Sequence, residues 1–202
     1  MRIGLDIMGG DFAPDKTTLG AILAQKELAS QGVELVLIGD QSAIEKVIAD
    51  NNVDKNLFSI VHTDEVIGMG EHPIKAFKTK PKSSIGLGFH LLKEGKLDGF
   101  AGAGNTGAMM IGSMYSVQNI SGIIRPCITS VLPKENGGVN IILDVGINAD
   151  CKPDVLYQFG ILGSIYAKHV LGIEDPKVGL LNIGEEPEKG NLLSQASYNL
   201  MK

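Results

Sequence analysis

Short β-rich apolar runs alternate with longer segments of helical periodicity along the chain, and few folds accommodate that alternation. The runs are Arg2–Ile7, Val33–Ile38, Phe58–His62, Gly99–Ala103, Ile128–Leu132, Asn140–Val145 and Val178–Ile183. Between them, Asp15–Ser30 brings Leu19, Ile22, Leu23 and Leu28 near one helical face, and Ser42–Asp50 does the same with Ile44, Val47 and Ile48. Ser83–Glu94, Asp154–Val170 and Asn191–Lys202 read as further helices. Strands that alternate with helices predict a mostly parallel sheet covered on both faces. The second run, Val33-Glu34-Leu35-Val36-Leu37-Ile38, shows no apolar/polar alternation after Glu34, as expected of a strand buried on both sides. One pair differs. Only Pro133–Gly138 joins Ile128–Leu132 to Asn140–Val145, too short for a crossover helix, so an antiparallel hairpin turning at Asn136-Gly137 is predicted.

The expected class is therefore α/β: Rossmann-like, mostly parallel, with one antiparallel hairpin. At 202 residues the chain can bury a sizeable core. Its 44% hydrophobic and 20% charged residues exclude intrinsic disorder. No apolar stretch reaches the ~18 residues of a membrane span, and Asp6 stands where a signal peptide would be apolar. A cytoplasmic protein is expected. A net charge of −5 gives no bulk attraction to nucleic acid or anionic membrane, so no nucleic-acid partner is expected. Cys127 and Cys151 have no CxxC spacing and read as reduced structural thiols.

Glycine is abundant, 26 residues, and its positions are informative. Gly9, Gly10, Gly39, Gly104, Gly107, Gly146 and Gly184 follow predicted strand ends, where open α/β sheets bind ligands. Single glycines there serve tight turns; several such clusters with polar neighbours point to a site. Four segments qualify. Asp6-Ile7-Met8-Gly9-Gly10-Asp11 sets two acids around a Gly-Gly turn, suited to positioning a substrate, binding a cation or accepting backbone amides. Gly102–Ala108 leaves a strand and opens a helix that Asn105 or Thr106 can cap, so its free amides form a plausible anion cradle. It is neither a Walker A sequence nor a dinucleotide fingerprint. In Leu143–Asp150, the side chains of Asp144, Asn148 and Asp150 suit a polar substrate better than a metal. In Leu181–Gly190, which holds Gly184 and Glu185, Lys189 can bring positive charge to an anion, or it can simply compensate an acidic loop.

Lys75, Lys78, Lys80 and Lys82 form a basic run without an acid, either a solvated face or a docking surface for an acidic partner or phosphate. Met109, Met110, Ile111, Met114 and Tyr115 read as core filler that would also suit an acyl-chain pocket. The four histidines share no metal-like spacing, and no metal or cofactor is expected.

Taken in order, these segments resemble the bacterial phosphate acyltransferase (PlsX) family. The likeness rests on Asp6–Asp11, on Ala103–Ala108, and on Leu143–Gly146 with Asn148 and Asp150. Arg125-Pro126, Gln158, Leu180–Glu185 and Lys189-Gly190 extend it over the whole chain. Gly102 stands where the family usually has Ser, Ile147 where it usually has Ala, and the Pro73–Ser84 segment carries Lys for some arginines. The resemblance implies acyl transfer from an acyl carrier protein thioester to inorganic phosphate, giving acyl phosphate for phospholipid synthesis. It implies a fold like isopropylmalate dehydrogenase and phosphotransacetylase, usually a homodimer, without nicotinamide. On that reading Asn105, Thr106 and Lys189 are the catalytic candidates. Asp6, Gly9, Gly10, Asp11, Gly104, Gly107, Asp144, Asn148, Asp150, Gly184 and Glu185 line the substrates, and Lys75, Lys78, Lys80 and Lys82 dock the carrier protein. The family also continues past this length, into a segment and helices that serve the cleft, dimer contacts and membrane association. Residues 1–202 are thus expected to be an incomplete α/β acyltransferase domain. Three readings compete: an acyl-CoA-using phosphotransacetylase-like enzyme, a dehydrogenase of the isopropylmalate type, and a non-catalytic fragment that only binds partners.

Overall fold

A computed structural model describes residues 1–202, which divide into two compact units, Met1–Gln118 and Asn119–Lys202. The first is the parallel α/β layer structure expected. Its strands are β1 (Arg2–Asp6), β2 (Glu34–Gly39), β3 (Ser59–His62) and β4 (Gly99–Gly102), all parallel in the order β3-β2-β1-β4. Helices α1 (Asp15–Leu28), α2 (Gln41–Asp50), α3 (Pro73–Thr79), α4 (Ser84–Lys93) and α5 (Thr106–Ser116) connect or follow them. The unbroken apolar run of β2 is explained by burial on both faces. Leu35 and Leu37 join the cluster built with Ala21, Ile22, Ile44 and Ile48 of α1 and α2. Val36 and Ile38 face the other way, against Leu97 and the half-buried Leu87 and Leu91. A third cluster, Ile67, Ala76, Ile85, Phe89 and Ala108, packs α3, α4 and α5 together.

Three details of this unit depart from expectation. The buried face of α1 is Thr18, Ala21, Ile22 and Gln25, while Leu23 is 62% exposed. Gln25 occupies the core because its amide bridges β2, donating to the Val33 carbonyl (3.1 Å) and accepting from the Leu35 amide (3.1 Å). Helix α3 was not predicted; it carries Lys75 and Lys78 on its exposed side while Ala76 is buried. Of the methionine-rich stripe, Ile111 is buried in the company of Ala108 and Gly112, but Met114 and Tyr115 are exposed. Tyr115 stacks on Phe77 with ring centroids 6.4 Å apart.

The second unit holds the predicted hairpin, β5 (Thr129–Pro133) paired antiparallel with β6 (Val139–Leu143), and two packed helices, α6 (Pro153–His169) and α7 (Leu192–Met201). The hairpin turn spans Lys134–Gly137 rather than centring on Asn136-Gly137. The Gly137 amide donates to the Lys134 carbonyl, and the positive φ values fall on Gly137 (84°) and Gly138 (82°). The expected strand Val178–Ile183 does not form: no strand pairs with it, and Val178, Leu181 and Ile183 are exposed. An apolar, extended sequence becomes a strand only when a neighbour supplies the ladder hydrogen bonds. No helix is long and apolar enough to cross a membrane.

Candidate active site

In the first unit, the carboxyl ends of the adjacent strands β1 and β4 bring two glycine loops into contact. Asp6, the last residue of β1, is 3% exposed and lies between them. A Cβ on Gly104 would lie 2.9 Å from Asp6 Oδ2 and 3.1 Å from the Gly9 Cα, and one on Gly102 would lie 2.9 Å from the Asp6 Cβ. A Cβ on Gly9 would overlap the same Asp6 carboxylate and sit 2.6 Å from the Gly104 nitrogen. The Asp6 side chain thus crowds three glycine positions. Burial pushes the Asp6 carboxyl above its ordinary range, opposed by hydrogen bonds from the Ser84 hydroxyl and the Met8 and Gly9 amides. Gly10 adopts φ +113°, a conformation for which glycine is the natural residue. Asp11 is exposed.

The β4 loop passes into α5 through Asn105, a fully committed side chain. Its Oδ1 caps the helix by accepting from the Ala108 amide (3.0 Å). Its Nδ2 donates to the carbonyls of Gly68 (3.1 Å), Met69 (3.2 Å) and Glu71 (3.0 Å). Asn105 therefore binds a neighbouring turn rather than presenting a free amide. Since the Met109 amide is used by the Asn105 carbonyl and that of Ala108 by the cap, the Thr106 and Gly107 amides are the two left open in the first turn of α5. The Thr106 side chain is exposed; Gly107 is packed so closely under Pro73 that a Cβ there would overlap the ring.

The basic run separates into two kinds of lysine. Lys75, Lys78 and Lys82 are exposed and form no ion pair. Lys80 is not free, contrary to expectation: its Nζ lies 2.6 Å from Glu71 Oε1 and 2.8 Å from the Val66 carbonyl. The run looks acid-free in sequence, but its acid arrives from the turn before α3.

In the second unit, Asp144 directly follows β6 and organises the loop there. Its Oδ1 accepts from the Ile128 amide (2.8 Å), and its Oδ2 accepts from Ile147 (2.9 Å) and Asn148 (2.8 Å). Burial opposes its ionisation, but these amides outweigh that and hold the carboxyl below its ordinary range. Asn148 donates to the Pro126 carbonyl (2.9 Å), Arg125 donates to the Asp150 carbonyl (2.7 Å), and Gln158 clamps Gly122 and Ile124. The Asp144 carboxylate and the Asn148 Nδ2 are thus spent on loop structure. Burial raises both thiols, Cys127 and Cys151, which are free. The Asn182–Asn191 loop is closed by Asn182 donating to the Lys189 carbonyl (3.0 Å) and Gln195 donating to the Glu188 carbonyl (2.7 Å). Gly190, at φ +91°, makes the close approach to Asn182 and Ser194. The side chains of Glu185 and Lys189 are exposed, and Gly184 lies under Lys189 and Glu186. The first unit therefore gathers Asp6, Gly9, Gly10, Gly104, Asn105, Thr106 and Gly107; the second holds Asp144, Asn148 and Asp150 on one loop and Gly184, Glu185 and Lys189 on another. The sequence reading did not find Ser84, Glu71 and Pro73 as supports; Pro73 and Ser84 entered it only as the ends of the lysine-bearing segment.

The fold is shared with phosphotransacetylases. A EutD phosphotransacetylase from Staphylococcus aureus matches all of this chain and 63% of its own, with a TM-score of 0.66 at 17% identity. A phosphotransacetylase from Streptococcus pyogenes matches 86% of this chain and 55% of its own, with a TM-score of 0.64 at 15% identity. The fold class is therefore that of the phosphotransacetylases. The chain itself belongs to the family described as fatty acid synthesis protein, which it matches over residues 1–202. Curated relatives named phosphate acyltransferase align with the entire chain: 48% identical in Dictyoglomus thermophilum, 47% in Desulforamulus reducens and 44% in Clostridioides difficile. The chain spans 58–59% of the length of these relatives.

Proposed function

We propose that the protein transfers a fatty acyl group from acyl-acyl carrier protein to inorganic phosphate. The observation that carries this is the 48% identity, over all 202 residues, to a protein named phosphate acyltransferase. The geometry of the β1 and β4 loops fits that reading. A phosphate oxygen attacks the thioester carbonyl carbon, the C–S bond breaks, and the hydrogen phosphate proton ends on the departing thiol, leaving acyl phosphate. Phosphate is already nucleophilic at neutral pH, so no activating triad is needed. The protein's work is to hold the anion and stabilise the oxyanion that develops. The open Thr106 and Gly107 amides, at the positive end of α5, are the proposed phosphate contacts. Asn105 then acts by fixing the first turn of that helix, not by touching substrate. Lys189 is proposed to supply a cation to an anionic oxygen of the reaction. Asp144, Asn148 and Asp150 support the loop they stand on. The exposed Lys75, Lys78 and Lys82 are the proposed docking surface for the acidic carrier, and a homodimer is the proposed assembly.

The phosphotransacetylase-like fold keeps acyl-CoA in view as a donor. The test is to offer the purified chain phosphate with acyl-acyl carrier protein or with acyl-CoA, trapping acyl phosphate as the hydroxamate. Phosphate-dependent hydroxamate with the carrier thioester supports the proposal. Product with acyl-CoA alone selects the second donor. Carrier binding without product leaves a binding module.

A further inference from the structure

Lys80 sits within the basic run, yet its contacts lead to the turn that packs on the first turn of α5. Its ammonium is compensated by Glu71 at 2.6 Å and spends a second proton on the Val66 carbonyl at 2.8 Å, and its side chain is only 32% exposed. The Glu71 Oε1 that receives it also accepts the Gly68 amide (2.7 Å). Lys80 therefore closes the turn Val66–Glu71 from the inside. Asn105 grips that same turn through the carbonyls of Gly68, Met69 and Glu71 while capping α5 with its other end. The chain leaves the turn directly into His72 and Pro73, and the Pro73 ring covers Gly107. Two separate contacts, Asn105 at the cap and Pro73 on Gly107, thus carry the position of this turn to the two open amides of α5. Lys80 and Glu71 together carry no net charge, so the pair adds little to long-range attraction of an acidic partner, unlike the unpaired Lys75, Lys78 and Lys82.

We infer that Lys80 is a positioning residue for the phosphate-binding amides of Thr106 and Gly107, acting through the Val66–Glu71 turn and Asn105, and is not part of the docking surface. The inference rests on the proposed reading that phosphate is held at those amides. It is tested on the ¹⁵N-labelled chain with Lys80→Met and Lys80→Arg. Lys80→Met should shift the Thr106 and Gly107 amide signals before any ligand is added. It should weaken binding of inorganic phosphate about tenfold and leave affinity for acyl carrier protein, and its salt dependence, within twofold. Lys80→Arg keeps a donor for both acceptors and should recover at least half of the lost phosphate binding energy, leaving a deficit of about threefold. Wild-type signals and phosphate affinity in Lys80→Met overturn the inference, as does a loss confined to carrier affinity. If Lys80→Met does not fold, Glu71→Gln removes the carboxylate that Lys80 pairs with, at constant size, and must shift the same two amide signals and weaken phosphate binding at reduced amplitude. Should the unsubstituted chain bind no phosphate at these amides, the reading of the site fails, whereas the ligand-free signals of Lys80→Met still decide whether the turn controls α5.

Discussion

Replacing Gly9 by alanine tests the packing at the heart of the candidate site. The added methyl would overlap the Asp6 carboxylate and approach the Gly104 nitrogen to 2.6 Å and its Cα to 2.7 Å. Neither neighbour is the loose end of a flexible chain: Asp6 is buried under both loops, and Gly104 offers backbone. Overpacking of this kind costs about 1–3 kcal/mol. Since about 1.4 kcal/mol is tenfold in an equilibrium constant, local opening becomes about 5 to 150 times more frequent. Hydrogen exchange of the β1 and β4 amides reads that directly, because exchange through opening follows the opening constant. The control is Gly20→Ala on the exposed side of α1, where nothing lies within 4 Å and the gain in helix propensity should stabilise by about 0.5–1 kcal/mol. Gly9→Ala exchange within twofold of the parent protein would refute the claim that these loops meet without spare room.

Asn105→Ala removes a helix cap and strands three carbonyls, so a loss of at least about 2 kcal/mol is expected in thermal or urea unfolding, against no more than about 0.5 kcal/mol for the exposed Thr106→Ala. The two key aspartates give opposite pH responses. Asp6 is raised by burial, so its contribution falls as pH rises from the unfolded value of about 3.9 through its higher folded value; Asp6→Asn should flatten that slope in urea midpoints of the first unit. Asp144 is held low by three amides, so its contribution is complete above about pH 3.9 and lost as pH falls through its folded value. Asp144→Asn should abolish that acid step in the second unit. Lys189→Ala should raise the phosphate KM and lower turnover about 100-fold, the scale of losing one oxyanion stabiliser; steady-state changes under threefold in both would remove it from the chemistry.

The parallel sheet was legible because its signals are local. Leu35 and Leu37 on one face of β2 and Val36 and Ile38 on the other produce the continuous apolar run of a strand buried on both faces. The glycine loops were legible for the same reason: Gly9 and Gly104 each follow a strand end, and adjacent strands place them together. What stayed hidden depends on partners distant in the chain. Nothing in Lys75–Lys82 shows that Glu71 folds back onto Lys80, since that requires a helix, α3, between them. Nor does Asn105 reveal that its amide is spent on Gly68, Met69 and Glu71, more than thirty residues earlier. Val178–Ile183 failed in the opposite sense: its composition is that of a strand, but a ladder needs a neighbour and no strand pairs with it.

The most direct test of the site is a titration of the ¹⁵N-labelled chain with inorganic phosphate. If the loops at the ends of β1 and β4 form the phosphate subsite, the Thr106 and Gly107 amides shift saturably, with one affinity, and Gly9→Ala loses the response. Shifts confined to the exposed lysines Lys75, Lys78 and Lys82, or no saturable shift in the first turn of α5, would contradict it.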